Sequence, residues 1–345
     1  MKIIDVSGYG HSGKTSVTAL LSEIDGFYCH NPSFEFNLLR LPDGLIDLKR
    51  NLIDDWSLVK SDLAIKRFNK LCRKLNYNEA NELSSFDDSL KKYTDSLVFS
   101  SMEINWYSDL YNHKSNNIKD FLRKILVKTN FLNFYRKFRK PITSLDKDLV
   151  LLVNQKSFVQ LTKSFLINIL SNNDDVIVTN NAFDPFNPSE NFIFFDNCYS
   201  VVVDRDPRDI YLSSFPSENL FSPKFEKNNS VYSESFLYAQ KQDFLLVDDI
   251  DKFIWRQKII RENTKLNLDK SNIIRINYED LIFNYEKTVK ILFEKLNIKS
   301  KNHINKLLNF DPKISKKNVE LWKNYKSNLD IKKIERELGK YLYKK

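Results

Sequence analysis

The chain is short of the residues that staple, hinge or anchor a fold. Only three of its 345 residues are cysteine (Cys29, Cys72, Cys198), an odd number with no CxxC pair, so neither a disulfide framework nor a cysteine zinc site organises it. The reading is three reduced, partly buried thiols. Six glycines rule out a glycine-rich linker or a collagen-like repeat. Long apolar runs are missing too. The run ahead of the first glycines, KIIDV, is far below the ~20 residues of a spanning helix, and no signal-peptide core stands near residue 1. A cytoplasmic protein is the expectation.

What is present is enough for a core. Hydrophobic residues make up 42% and aromatics 13%, and the length suits one large α/β domain with an insertion, or two domains. The net charge of +9 favours an anionic partner such as a nucleotide, an acidic glycan, nucleic acid or a lipid headgroup. Lysine is spread along the whole chain, however, so the charge alone selects none of these.

Three of the six glycines fall in DVSGYGHSGKTSV, residues 5–17, which matches the phosphate-loop pattern GxxxxGK[ST] from Gly8 through Gly13, Lys14 and Thr15. The context is the one the pattern needs. KIIDV predicts a strand before the loop, and Val17, Leu20, Leu21 and Ile24 predict a helix after it. Gly10, His11, Ser12, Gly13, Lys14, Thr15 and Ser16 would then cradle an anion with backbone N–H groups at a helix N-terminus, with Lys14 adding a point charge.

Apolar runs at 176–179 (VIVT), 200–204 (SVVVD) and 272–277 (NIIRIN) predict further strands, and 26–29 a short one. A helical stripe runs from Phe158 to Ile169, and KFIWRQKII and TVKILFEKLN are helical in pattern. Alternating strands and helices predict a three-layer α/β fold of the P-loop type around a central parallel sheet, with ligands at the carboxyl ends of the strands. Residues of about 45–152 read as a helical insertion in that single domain. They hold no glycine past Gly44 and carry helical stripes such as Ile65, Phe68, Leu71, Cys72 and Leu75, then Ile118, Phe121, Leu122, Ile125 and Leu126. The later part, residues 121–140, mixes seven Lys and Arg with Phe131, Phe134, Tyr135 and Phe138. It is either a basic aromatic surface for a glycan, nucleic acid or membrane, or a solvated helix face over core aromatics.

The second informative stretch is VVVDRDPRDIYLSSF, residues 201–215. Asp206 is a good N-cap and Pro207 suits the first helical position, so a helix should start right after the strand, with Arg205 at the strand end and Ser213 two turns along, able to share one anion. A loop like Gly8–Thr15, followed by a strand running into RDPRDxxxS, resembles the sulfotransferases that use 3′-phosphoadenosine 5′-phosphosulfate (PAPS) and release adenosine 3′,5′-bisphosphate. NYEDLIFNYEKTVKILFEKLNI is similar to that family's strand, YEDL turn and helix, and FDPKISKKNVELWKNY to its loop closing over the 3′-phosphate. The resemblance covers about residues 1–40 and 155–345. It implies that the first loop binds the 5′-phosphosulfate, that Arg205 and Ser213 bind the 3′-phosphate, and that Lys316, Lys317 and Asn318 close over it.

One departure bears on the chemistry. The family's loops commonly carry Lys or Arg directly before Ser-Gly-Thr, where this chain has His11, with Lys14 after the glycine. The cation that stabilises the leaving phosphate is therefore Lys14 or His11. The Lys14 position also keeps open a Mg²⁺- and ATP-dependent P-loop kinase or NTPase, in which Asp204 would serve the metal. Against this, Arg205 and Arg208 directly follow Asp204 and suit an extra phosphate better. No metal is needed if the loop donors and Lys14 suffice.

An acceptor hydroxyl or amine must lose a proton, so a general base is needed. Glu35, 22 residues after Gly13, stands in FYCHNPSFEFNLLR where glycan-modifying members of the family resemble this chain in carrying a glutamate base. Phe34 and Phe36 are expected to desolvate it and raise its pKa. His30 is the alternative base, and His113 and His303 have no expected role. The resemblance implies an acidic or neutral glycan acceptor, with peripheral membrane association if the acceptor is lipid-linked, and no nucleic acid partner. The oligomeric state is open.

Overall fold

Five strands, all parallel, form the central sheet in the order β2-β5-β1-β6-β7: β1 (Lys2–Gly8), β2 (Phe27–Cys29), β5 (Val176–Asn180), β6 (Cys198–Asp204) and β7 (Ile273–Asn277). The computed structural model describes residues 1–31, 33–79, 81–83, 85–104, 148–171, 174–214, 249–265, 271–325 and 328–344. The parallel strands are the apolar runs read from the sequence. Val201, Val202 and Val203 are all fully buried, as a strand covered on both faces requires.

Helix α1 (Lys14–Leu21) follows β1 and buries Val17, Leu20 and Leu21 against Ile4, Val6 and Val178. Ile24, also buried, lies past the helix end. Helices α7 (Tyr278–Phe283) and α8 (Tyr285–Lys295) bury Leu281, Val289, Leu292 and Phe293 in the same cluster. A second cluster joins α5 (Pro207–Ser214), α6 (Asp249–Lys265) and α9 (Asn328–Glu337) through Ile210, Phe253, Ile254, Ile331 and Ile334. Burying one such aliphatic side chain contributes roughly 1.5–3 kcal/mol.

The chain forms two compact units. The first comprises Met1–Ile46, Tyr77–Phe86 and Leu166–Lys345 and holds the sheet and every residue of the candidate site. The second comprises Asp47–Asn76 and Asp87–Phe165. It contains α2 (Leu58–Leu75), most of α3 (Phe86–Leu97), the start of α4 (Phe158–Leu170), and a two-stranded antiparallel sheet of β3 (Val98–Ile104) and β4 (Asp148–Val153). The stretch read as a helical insertion is thus only partly helical. Ser57 caps α2 by accepting from the Lys60 amide, and Asp62, fully buried, accepts from the Leu151 amide at 2.9 Å, tying α2 to β4. Tyr93 stacks on Phe165 at 4.6 Å and shares a 2.7 Å hydrogen bond with Thr162. The basic aromatic run 121–140, the stripe at 118–126 and His113 lie outside the described residues.

Register brings the strand ends together. Gly8 stands opposite Val203, Asp204 opposite Asn277, and Val6 opposite Asn180. The glycine loop, Arg205, Tyr278 and Asn181 therefore leave four adjacent strands at one edge of the sheet. Asp5, buried in β1, holds the chain beyond β5 by accepting from Thr179 Oγ1, the Ala182 amide (both 2.8 Å) and the Phe183 amide (3.1 Å). Burial outweighs these bonds and pushes its carboxyl up to about 6.

Candidate functional site

The loop after β1 is built to approach other groups closely. Gly13 sits at φ 91°, in the left-handed region that glycine enters without penalty, and a Cβ there would lie 2.4 Å from the Tyr278 ring. Both conformation and space demand glycine. Gly13→Ala is expected to displace the loop while the sheet still folds, so that circular dichroism is unchanged and any nucleotide binding seen by titration of the wild type is lost. His11 is also left-handed, at φ 64°. Ser12 is buried, and its Oγ has no hydrogen-bond partner among the described residues. In the first turn of α1 the Ser16 amide is taken by the Gly13 carbonyl at 3.0 Å, while the Lys14 and Thr15 amides have no carbonyl behind them in the helix and point to where an anion would sit.

Arg205 joins this loop to the second motif. Its Nη1 donates to the His11 carbonyl at 2.7 Å and to Ser213 Oγ at 3.2 Å, its Nη2 donates to the Asn318 carbonyl at 2.5 Å, and its guanidinium lies 5.3 Å from the centre of the Tyr278 ring. The local sequence explains the placement. Asp206 caps α5 through the Arg208 amide at 2.9 Å, with Pro207 at the first helical position, so the chain turns sharply and leaves Arg205 at the sheet edge. Arg205 also lines a cavity of about 560 Å³ with Asp204, Arg261, Arg275 and Tyr343.

The rest of RDPRD is structural. Arg208 pairs in bidentate fashion with Asp206, reaches Glu335 at 2.7 Å and covers the Trp322 ring at 3.8 Å, so its guanidinium is taken up by neighbours within the protein. Asp209, buried, accepts from the Glu320 and Leu321 amides at 2.7 and 2.8 Å. Burial raises its pKa, against the pull of Arg205 and those amides. The turn and the loop around Asn318 are therefore one assembly. Lys316 and Lys317 form its exposed first residues.

Asp204 is paired with two arginines. Arg261 Nη1 pairs with its Oδ1 at 2.6 Å and Arg275 Nε with its Oδ2, while Arg261 also donates to the Arg205 carbonyl at 2.6 Å. Two guanidiniums on one buried carboxylate leave it poorly suited to a divalent cation. Glu279 of the YEDL turn accepts from the Asp206 amide at 2.7 Å, and burial pushes it up to about 7.

Lys14 and Glu35 meet. Lys14 Nζ lies 2.9 Å from Glu35 Oε1, and the other oxygen accepts from Arg40 Nη2 and Asn181 Nδ2, both at 3.1 Å. Arg40 in turn donates to the Asn181 carbonyl at 2.8 Å. The expectation that aromatic neighbours raise the Glu35 pKa is overturned. Burial works in that direction, but Lys14, Asn181 and Arg40 outweigh it and hold the carboxyl below its ordinary value. Phe36 is buried against Tyr77, and Phe34 packs edge-on to His30 and Tyr77.

His30 is buried between the rings of Tyr28 and Phe34, and burial lowers its pKa, so it is neutral at pH 7. No side chain among the described residues hydrogen-bonds its ring nitrogens. His303 does have a partner: its Nε2 lies 2.7 Å from the buried Glu23 carboxylate. The three cysteines are free thiols, and burial raises the pKa of each, up to about 12 for Cys29 and Cys198.

Tyr278, Asn181, Arg40, Arg261 and Arg275 are the neighbours that sequence reasoning passed over. The YEDL motif and the strand ends carried a signal for the first two, and Arg40 stands only five residues from Glu35; Arg261 and Arg275, remote in sequence from Asp204, carried none.

No protein-family model and no curated protein matches the chain. Among solved structures, 8 chains match. One is a sulfotransferase domain from the curacin biosynthetic pathway, 12% identical, with 98% of this chain and 97% of that one covered and a TM-score of 0.39. Another is a sulfotransferase domain from the Synechococcus PCC 7002 olefin synthase, 10% identical, with 100% and 95% covered and a TM-score of 0.40.

Proposed function

We propose that the protein transfers a sulfuryl group from PAPS to a hydroxyl or amine, with a carbohydrate as the acceptor class. The observation that carries this reading is the position of Arg205, bonded to the phosphate loop at His11 and beside Ser213. Two anion-binding elements are thereby held together, as a nucleotide phosphorylated at both its 5′ and 3′ positions requires. The orphaned Ser12 hydroxyl and the Gly13 cradle fit such a ligand.

When bound, the donor supplies an activated sulfuryl group. Lys14 and the amides of residues 11–15 would neutralise the charge on the phosphate that departs as the donor's S–O bond breaks, and Glu35 would take the acceptor's proton as sulfur bonds to the acceptor oxygen or nitrogen. As Lys14 turns toward a phosphate oxygen, Glu35 loses its nearest positive charge and becomes a stronger base. Arg205 and Ser213, with the loop at Lys316, Lys317 and Asn318, would hold the 3′-phosphate. The two arginines on Asp204 favour this reading over a Mg²⁺-dependent kinase.

The test is calorimetric titration with adenosine 3′,5′-bisphosphate and, separately, with ATP and Mg²⁺. Metal-independent binding of the bisphosphate with weak ATP binding is expected. Arg205→Ala should weaken it by roughly 1.5–3 kcal/mol, the range of a charge-assisted contact, and Ser213→Ala by less. Metal-dependent ATP binding with no response to the bisphosphate would replace the reading with a kinase.

A further inference from the structure

We propose that residues 299–317 form a docking surface for an anionic lipid bilayer. The surface shares only Lys316 and Lys317 with the proposed donor site. Within this stretch Ile304, Leu307, Leu308 and Ile314 are 64%, 42%, 73% and 65% exposed, and every residue from 304 to 309 faces solvent. Single exposed aliphatics are ordinary on a protein surface; four in so short a loop are not.

The loop is held in that shape from inside. Glu23, fully buried just past the end of α1, accepts from His303 Nε2 (2.7 Å) and from the amides of Leu307 (3.2 Å), Asn309 and Phe310 (both 2.8 Å). Phe310 is buried beneath it, and the Asp25 amide donates to the Asn302 carbonyl at 2.8 Å. Leu307 itself sits at φ 66°, a left-handed conformation unusual for a leucine. Such a conformation persists only where surrounding bonds over-determine it, and here those bonds present apolar side chains to water.

Charge selects the occupant. The stretch carries Lys299, Lys301, Lys306, Lys313, Lys316 and Lys317, all exposed, against one acidic residue, Asp311. Apolar side chains that enter the headgroup boundary, ringed by lysines that meet anionic headgroups, fit the bilayer interface. Nucleic acid suits it less, since residues 299–317 contain no arginine, tyrosine or tryptophan and Phe310 is buried.

The experiment is flotation of the full chain with vesicles of phosphatidylcholine alone and of phosphatidylcholine mixed with phosphatidylglycerol. Wild type is expected to float with the anionic vesicles and not with the neutral ones. The double variant Leu308→Asp/Ile314→Asp should lower the partition coefficient by about tenfold or more per side chain. Lys301→Glu/Lys313→Glu should lower it by about fivefold per lysine, with high salt acting likewise. Unchanged thermal unfolding would certify that these exposed substitutions leave the fold intact. Absence of wild-type binding to anionic vesicles, or equal binding by Leu308→Asp/Ile314→Asp, overturns the proposal. So does a wild-type dimer in light scattering that this variant dissociates, because a second copy would then be the occupant.

Discussion

Glu35→Gln is expected to lower turnover ~100-fold or more, as loss of a general base does, while adenosine 3′,5′-bisphosphate binds no more weakly than to wild type. Glutamine can still accept from Asn181 but cannot take a proton. The pH profile adds a second readout. In the free protein Lys14, Asn181 and Arg40 hold Glu35 below its ordinary pKa despite burial. Because kcat/KM reports the free enzyme, its acid limb should lie below the ordinary carboxylate range, with no loss near neutrality. The limb of kcat should lie higher, since Lys14 is then engaged by phosphate and no longer stabilises the carboxylate. Coincident limbs would remove Lys14 as the partner that sets Glu35, and an active Glu35→Gln protein would move the base to His30.

Lys14→Gln carries the second large expected effect. If Lys14 stabilises charge on the leaving phosphate, its loss should reduce turnover by about 100- to 1,000-fold, the range seen when one preorganised donor is removed. The same variant should move the acid limb of kcat/KM upward, because Glu35 would keep only Arg40 and Asn181. His11→Ala makes the contrast. The His11 contact with Arg205 runs through its backbone carbonyl, so removing the imidazole leaves that bond in place. A silent Lys14→Gln beside an inactive His11→Ala would transfer the cationic role to His11.

The sheet was legible because its strands are short, mostly apolar runs rich in β-branched residues: VIVT, SVVVD and NIIRIN. The loop and the RDPRD turn were legible for a different reason: Gly13 permits a left-handed backbone that other residues avoid, and Pro207 fixes φ for a helix start. Partnerships were harder to read. Arg261 and Arg275 reach Asp204 from a helix and a strand far along the chain, and no local pattern marks them. Glu23 reads as an ordinary polar residue near a helix end, yet it gathers four donors from residues 303–310. The pair β3 and β4 escaped notice because its strands are separated by residues 105–147 with no hairpin signal between them. Glu35 shows the limit most clearly. Its sequence neighbours are aromatic and suggest a raised pKa, but the nearest charge belongs to Lys14, placed there only by the folded sheet.

The assembly of the RDPRD turn with residues 318–322 bears on how fast a ligand could arrive. Arg205, Arg208 and Asp209 hold that segment through the Asn318 carbonyl, the Trp322 ring and the Glu320 and Leu321 amides, none of which needs a nucleotide. Its conformational search is completed during folding, not at each encounter. On the proposed reading, association would then be governed by diffusion and by the attraction of Lys316 and Lys317 for a phosphorylated ligand, a long-range force that ionic strength screens.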